Sequence, residues 1–558
     1  MLIDARSLPP GTTLHADVCI IGAGPAGLAL AKELSCSSLS IAIVESGGTE
    51  LDPTAQRLSS GHIAGDATGP LEATRLRQVG GTSNLWGVRS AAGTGLRTVR
   101  YMPLARPDFT RRSWVPESGW PFGLETLEPF YERAQQLCGI GPFAFDGASW
   151  ETPEAPQLPI ASSRFATAVF QFGPSDRFTQ EARVLAAAKQ CSLVVHATAL
   201  QIEMAADGAS AMRLRAGSRA DQQFWVASRF FVLAGGAIEN PRLLQLSTGK
   251  SGGALGNEYG LVGRYFMEHP FIRCGSLVPF SRDIFESATL YDIREVRGRA
   301  IMAHLTPTVS MLEEGRLLNF SAWLFPRPPR RGVSALEGYR QLRNAFQAKH
   351  ALWRSPVVSA VKPGLRVLAG TDYILKAGLA RLLRRERVLL PDYASGGWSE
   401  LRRKARKFAS FEVFCLTEQA PDFNNRVSLS DERDHFGQPR PLVQWKWGEL
   451  NARSLQLGLE ALARDLAEAG LGVLKLEQPL GPLQLSHHHM GTTRMHIMPQ
   501  HGVVDPNCRV HGTSNVFVAG SSVFPTGGYA NPTFTIIALA VRLAKHLRVV
   551  AEAALREI

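Results

Sequence analysis

The sequence predicts an α/β nucleotide-binding core of the Rossmann type joined to a second, α+β part. Three observations carry that prediction. A β-rich run, Ala16-Asp17-Val18-Cys19-Ile20-Ile21, leads directly into Gly22-Ala23-Gly24-Pro25-Ala26-Gly27. A second apolar run, Phe230-Phe231-Val232-Leu233, ends at Gly235-Gly236 and gives way to a helical stretch. From about residue 271 the texture changes to shorter β-like segments.

In the first unit, residues 28–34 read as an apolar helix and Ile41-Ala42-Ile43-Val44 as a buried strand ending in Glu45. Strand, G-x-G-x-x-G, helix, strand and acid together form a dinucleotide fingerprint. The glycines allow a tight turn and close approach of a pyrophosphate to the helix N-terminus, whose N–H groups favour anions. Glu45 is placed to take ribose hydroxyls, and Ser46-Gly47-Gly48 brings no arginine for a phosphorylated ribose. Gly80-Gly81-Thr82-Ser83-Asn84-Leu85-Trp86 predicts a loop where backbone approaches a planar or anionic ligand.

Residues 124–137 predict a helix, and residues 200–233 a β-meander that turns at Ala206-Asp207-Gly208. The helix after Gly236 is expected to begin at Pro241, since proline suits a first turn. In the second part, two strands over 428–429 and 442–447 join through a turn near 434–437. Leu455, Leu459, Leu462 and Leu466 fall at helical spacing, and Gly470 is a stop.

At 558 residues the chain has room for several domains and a large core. Seven scattered cysteines without a C-x-x-C pair argue against a disulfide framework or a cysteine metal site, and for a reducing compartment. No secretory signal and no apolar run of about 18 residues is evident, so a cytoplasmic location is expected. The formal charge of +12 is concentrated: residues 327–407 hold 19 Lys/Arg against 5 Asp/Glu. Such a localised excess marks one surface or insertion, open to a peripheral membrane or protein contact, and not a nucleic-acid groove.

The chemistry concentrates in residues 486–535. Ser486-His487-His488-His489-Met490-Gly491-Thr492 is followed by a strand, Asn515-Val516-Phe517-Val518-Ala519-Gly520, and by Thr526-Gly527-Gly528-Tyr529-Ala530-Asn531-Pro532-Thr533 before an apolar helix. Histidine shuttles protons near neutral pH, and an asparagine at a loop-to-helix junction can hold a substrate oxygen. Residues alone leave a His-rich turn or a metal tract open, but consecutive histidines point in different directions and no cysteine or carboxylate companion is evident.

Taken in order, Gly22–Gly27 with Glu45, the Gly80–Trp86 loop, Ala234–Leu246, Gly260-Leu261-Val262-Gly263-Arg264 through His269-Pro270, and the terminal stretch resemble the glucose–methanol–choline (GMC) family of FAD-dependent oxidoreductases. The resemblance spans nearly the whole chain outside the basic insertion. It is nearest to the pyranose-oxidising and bacterial glycoside- or sugar-oxidising branches.

It implies a discontinuous Rossmann-like FAD-binding domain, residues 1–270 (including cap and loop regions around 50–190) with 481–558. A substrate-binding domain over 271–480 would carry an antiparallel sheet and the insertion 327–407. It implies His488 as catalytic base and Asn531 as its partner, with hydride passing to flavin N5. The cofactor contacts it implies are Gly22, Gly24, Gly27, Glu45, Gly80, Gly81, Thr82, Ser83, Asn84, Leu200, Gly235, Gly520, Ser521, Asn531, Pro532 and Thr533, with no metal.

There are two departures. Leu85 stands where pyranose oxidases carry a flavin-bonding histidine, so FAD is expected to be non-covalent. Gly520 stands where many members have aspartate, which leaves Gly520 and Ser521 only backbone or hydroxyl contacts. The expected reaction is oxidation of a CH–OH group of a sugar or glycoside to a carbonyl, with oxygen or another electron acceptor. The alternatives are a non-sugar alcohol, or non-oxidase chemistry on the same fold. Trp445, Trp447, Phe524 and Tyr529 are expected to wall the substrate.

Overall fold

The structure, a computed structural model, describes residues 1–67, 69–89, 97–160, 163–347, 356–382 and 396–556. Two large sheets organise those residues. In the first, Thr13–Ile21 lies between Ile41–Val44 and Gln222–Leu233, all parallel. Cys191–Val195 and Leu2–Asp4 extend it on one side. On the other, Ala211–Arg219 and Thr198–Met204 add the antiparallel meander.

The two apolar runs within 222–233 form one continuous strand, not two. Its first half pairs with the meander, and its second half pairs with Val516–Val518 through Phe231↔Val516 and Leu233↔Val518. A C-terminal strand thereby completes the N-terminal sheet. Burial explains the arrangement: Phe231, Val232, Leu233, Val516 and Val518 are fully enclosed. Helix Pro25–Leu34 leaves the glycine turn and packs against Thr533–Arg556, and Leu28, Leu30, Phe534, Ile537 and Ala538 are buried along the two helices. At Gly27 a Cβ would clash with the Gly22 carbonyl oxygen, so this close helix–strand approach requires glycine there.

The second sheet is antiparallel and built mainly from Pro270–Pro279, Ser410–Thr417, Phe320–Arg327 and Arg299–Pro307. The expected boundary at residue 270 does not match its membership. Phe165–Pro174 and Arg97–Tyr101, both inside the region assigned to the first domain, join this sheet beside Arg299–Pro307. The reason is pairing over long sequence separation, with no local signature. Helix Glu449–Glu468 covers the sheet with Leu455, Leu459, Leu462 and Leu466, each at most 3% exposed. Burying each such leucine is worth about 1.5–3 kcal/mol. Arg426–Arg433 and Pro439–Trp445 form the anticipated hairpin, which pairs with His62–Gly65 in a third, small sheet.

The insertion leaves the second sheet between Phe320–Arg327 and Ser410–Thr417 as helices Arg330–Gln347, Pro356–Ala369 and Thr371–Leu382. Of the basic insertion 327–407, residues 348–355 and 383–395 lie outside the described residues. No described helix is long and apolar enough to cross a membrane.

Candidate active site

Residues 486–492 are held by an antiparallel run from 263–269. Met267 and Met490 exchange both backbone hydrogen bonds at 3.0 Å, and Gly263 N–H donates to the Thr492 carbonyl at 2.8 Å. Between them His487 has φ 58°, a left-handed conformation that breaks the strand's alternation locally. Gly491 follows with φ 90°, and a Cβ there would drive into the Tyr265 carbonyl oxygen. Beyond it, the Thr492 hydroxyl donates to the Ala237 carbonyl at 2.7 Å. That carbonyl belongs to helix Gly236–Gln245, which begins five residues earlier than expected and contains Pro241 in its interior. Proline has no N–H to return to the carbonyl four residues back, so Ala237 has an open acceptor that the threonine fills.

His488 Nε2 lies 3.1 Å from Asn531 Nδ2, and His488 Nδ1 lies 3.1 Å from His269 Nδ1. Burial, reinforced by His269 and Arg100, holds His488 well below the ordinary histidine range, so the imidazole is neutral at neutral pH. Beneath the two imidazoles sits Glu268, fully buried. Its Oε1 accepts the His269 N–H at 3.0 Å and the His488 N–H at 2.5 Å. Burial pushes this carboxyl up to about 8 despite those donors. Its Oε2 faces His489 Nε2 at 3.6 Å.

The histidine tract therefore has a carboxylate companion after all. Glu268, His487 and His489 bring their ligand-type atoms within 4.8 Å of one another, while His488 is turned toward Asn531. The companion comes from over 200 residues upstream, which local spacing does not reveal. The bonds of Glu268 to two backbone N–H groups make it a support for the turn that carries His488.

A long cleft runs from the glycine turn to the histidines. Gly22, Gly24, Glu45, Gly81, Thr82, Leu200, Gly235, Gly520, Ser521, Pro532 and Thr533 line it, with His487, His488 and His489 at one end. Gly24 has open space where a Cβ would stand, so the backbone beside the helix N-terminus is accessible to a bulky anion. The residues present thus fit a dinucleotide laid across the sheet's carboxyl ends.

Other predicted contacts stand behind the lining. Gly27 serves helix packing. Ser83 bonds back to the Gly80 carbonyl at 2.6 Å, and Asn84 bonds the Val79 and Gly81 carbonyls at 3.0 Å, so these shape the loop. Leu85 is 52% exposed, and Trp86 lines the cleft instead. Asn531 is absent from the lining but touches His488. Glu45 accepts N–H bonds from Ala23 at 2.9 Å and Gly47 at 2.8 Å, and burial raises its pKa.

Three features depart from expectation. An arginine does reach the neighbourhood of Glu45: Arg77 Nη1 bonds Ser46 Oγ at 3.0 Å, from a segment not adjacent in sequence. It is committed elsewhere, to Glu239 at 2.8 Å. Arg75 and Arg242 also contact Glu239, and although burial alone would raise this carboxyl, the three guanidiniums hold it far below the usual range. Sequence reading missed this network in the cleft wall. Finally, the four aromatic residues expected to wall the substrate are core residues. Trp445 donates to Gln419 Oε1 at 2.8 Å, Tyr529 Oη pairs with His304 Nε2 at 2.8 Å, Phe524 packs on Trp120, and Trp447 is 9% exposed.

Comparison with known proteins gives the same direction. Residues 421–540 match the family described as GMC oxidoreductase. Paromamine 6'-oxidase of Streptomyces fradiae is 25% identical over 95% of this chain and 90% of its own length. C-glycoside 3-oxidase of Microbacterium trichothecenolyticum is 33% identical over 138 residues, 24% of this chain and 26% of that protein. The crystal structure of pyridoxine 4-oxidase from Mesorbium loti shares the fold at a TM-score of 0.54 and 15% identity, covering 95% of this chain and 98% of that one. With the cleft, the turn around His488 and these comparisons taken together, residues 421–540 carry the C-terminal part of a GMC oxidoreductase, and the chain is an oxidoreductase acting on CH–OH groups with FAD as its cofactor.

Proposed function

We propose that this protein oxidises a CH–OH group of a sugar or glycoside to a carbonyl. The observation that carries the reading is the pair His488 and Asn531, 3.1 Å apart, with His488 in the wall of the same cleft that Gly22 and Gly24 line. Relatives named for oxidising paromamine and C-glycosides support the substrate class. FAD bound in the cleft supplies the oxidant that takes hydride from the carbon. His488 Nε2 takes the hydroxyl proton, and its neutral state leaves that lone pair ready. Asn531 donates an amide N–H to the substrate oxygen and orients the C–H bond.

Anaerobic bleaching of the flavin by a panel of sugars, glycosides and simple alcohols tests the substrate class. Sugars or glycosides are expected to bleach it fastest. Bleaching only by simple alcohols would replace the sugar reading with the non-sugar one. Reoxidation of the bleached enzyme by air against a quinone or dye separates oxygen from another electron acceptor. Seven free cysteines, six of them buried, fit a reducing cytoplasmic compartment.

The basic insertion favours contact with an anionic membrane surface. Val361, Leu365 and Leu368 form one exposed stripe on helix Pro356–Ala369, with Leu368 72% exposed. Lys362 and Arg366 flank it, an arrangement suited to burying leucine among acidic headgroups. Cosedimentation with vesicles containing phosphatidylglycerol, but not with pure phosphatidylcholine, is expected. L365S/L368S should abolish it, and equal binding of this variant would refute the contact.

A further inference from the structure

We propose that His269 is a positioning residue that fixes the tautomer of His488, keeping Nε2 as the unprotonated nitrogen that receives the substrate proton. The inference rests on the reading of His488 as the base. It follows from what each neighbour is able to donate or accept.

A neutral imidazole carries one N–H and one lone pair, on different ring nitrogens. On one side of His488, the Asn531 amide nitrogen lies 3.1 Å from Nε2. An amide nitrogen is a donor only, so Nε2 accepts and the proton of neutral His488 belongs on Nδ1. On the other side, Nδ1 lies 3.1 Å from His269 Nδ1. Two ring nitrogens at that distance bond only if one donates and the other accepts. His488 Nδ1 donates, so His269 Nδ1 accepts and its own proton sits on Nε2, which faces the Gly527–Gly528 backbone without a hydrogen-bond partner among the described residues.

His269 suits the accepting role. It is fully buried, and that burial lowers its pKa to about 3, so it does not become a second cation beside the base. The two rings are perpendicular, with centroids 5.2 Å apart, and their spacing is held from below. Glu268 Oε1 accepts the backbone N–H of both histidines, so the two stretches of main chain that carry the rings are tied to one anchor. When the substrate hydroxyl takes the place of the Asn531 contact, the same tautomer presents a lone pair to it. After proton transfer, His488 is an imidazolium whose Nδ1–H already has an acceptor. The lost alternative is His488 with its proton on Nε2, which leaves no base facing the substrate.

The test compares H269F, which keeps a ring but no acceptor, with H269N, whose side-chain oxygen falls near the position of Nδ1. FAD content and the visible spectrum report folding of each holoenzyme. Anaerobic flavin reduction is expected to slow about tenfold in H269F, the scale of one net hydrogen bond, with the substrate dissociation constant unchanged. In H269N the rate should return to within about threefold of the native value. A structural or space-filling role predicts the reverse order, because asparagine is the poorer filler. H269N no faster than H269F, or H269F at the native rate, would overturn the proposal.

A second readout does not depend on turnover. Nitrogen NMR of histidine-labelled holoenzyme, with the His488 signals assigned by their loss in H488A, should show the proton on Nδ1. A proton on Nε2 would overturn the proposal even if every rate matched. If H488A reduced its flavin normally, the base assignment would fail while the tautomer result stood, so the two failures are distinguishable.

Discussion

Replacing His488 with alanine is expected to slow flavin reduction by about 10²–10⁴-fold, the usual contribution of a general base. FAD should remain bound, because the residues expected to hold it, from the Gly22–Ala26 turn and Glu45 to the 520–521 and 532–533 segments, are all kept in the variant. The backbone N–H of residue 488 still reaches Glu268 after the substitution, so the turn itself is kept. Stopped-flow bleaching under anaerobic conditions measures the effect, and a native rate would remove His488 from the base role.

The pH dependence has a definite sign. Since the folded-state pKa of His488 lies well below the ordinary 6.5, the native enzyme should keep its reduction rate as pH falls through 6.5 and lose it only at lower pH. Acid precipitation of native and variant protein should release yellow FAD alike, because Leu85 has no nucleophile to bond it. Colour retained in the pellet would contradict a non-covalent cofactor.

The largest expected loss of stability comes from E418A. Glu418 and Arg112 form an ion pair with side chains 0% and 3% exposed, and Arg112 Nη1 meets Glu418 Oε2 at 2.9 Å. The same oxygen accepts the Asn319 N–H at 2.8 Å, and the Asn319 amide in turn donates to Asp108 at 3.1 Å. Burial, with Glu418 nearby, pushes the Asp108 carboxyl up, which makes it a poor substitute counter-charge for the guanidinium. Truncating Glu418 strands Arg112, a change that costs about 3–5 kcal/mol when a buried pair loses one partner. E418Q keeps most of the hydrogen bonds and should fall between native and alanine. Urea denaturation of the holoprotein checks this. A midpoint equal to native for E418A would mean that water reaches Arg112. The effect should extend to the active site, since Thr526 bonds the Asp108 carbonyl at 2.8 Å one loop before Asn531.

Motifs with local spacing were legible. The strand–glycine–helix–strand–acid unit, the meander over 198–233, the leucine face of Glu449–Glu468 and the hairpin at 426–445 all announce themselves within a few dozen residues. His488 and Asn531 were found through the terminal motif, and they do meet. Glu268 and His269 had been noticed only as part of a motif, because their partners lie about 220 residues away and their roles exist only once the two runs pair. The membership of 97–101 and 165–174 in the second sheet was hidden for the same reason. Trp445 and Trp447 misled for a different one. Trp445 closes strand Pro439–Trp445 and Trp447 follows just beyond it, and both turn into the core of the second sheet.

The strand at 516–518 and the latch from Thr492 to Ala237 have a consequence for how the protein is made. The cleft borrows Gly520, Ser521, Pro532, Thr533 and Ile536 from a stretch synthesised long after the Gly22–Gly27 turn. A nascent chain that has already emerged with its glycine turn still lacks one wall of the cofactor site. Capture of FAD is therefore expected only after residues 516–536 have emerged from the ribosome, and a product terminated before them should stay colourless.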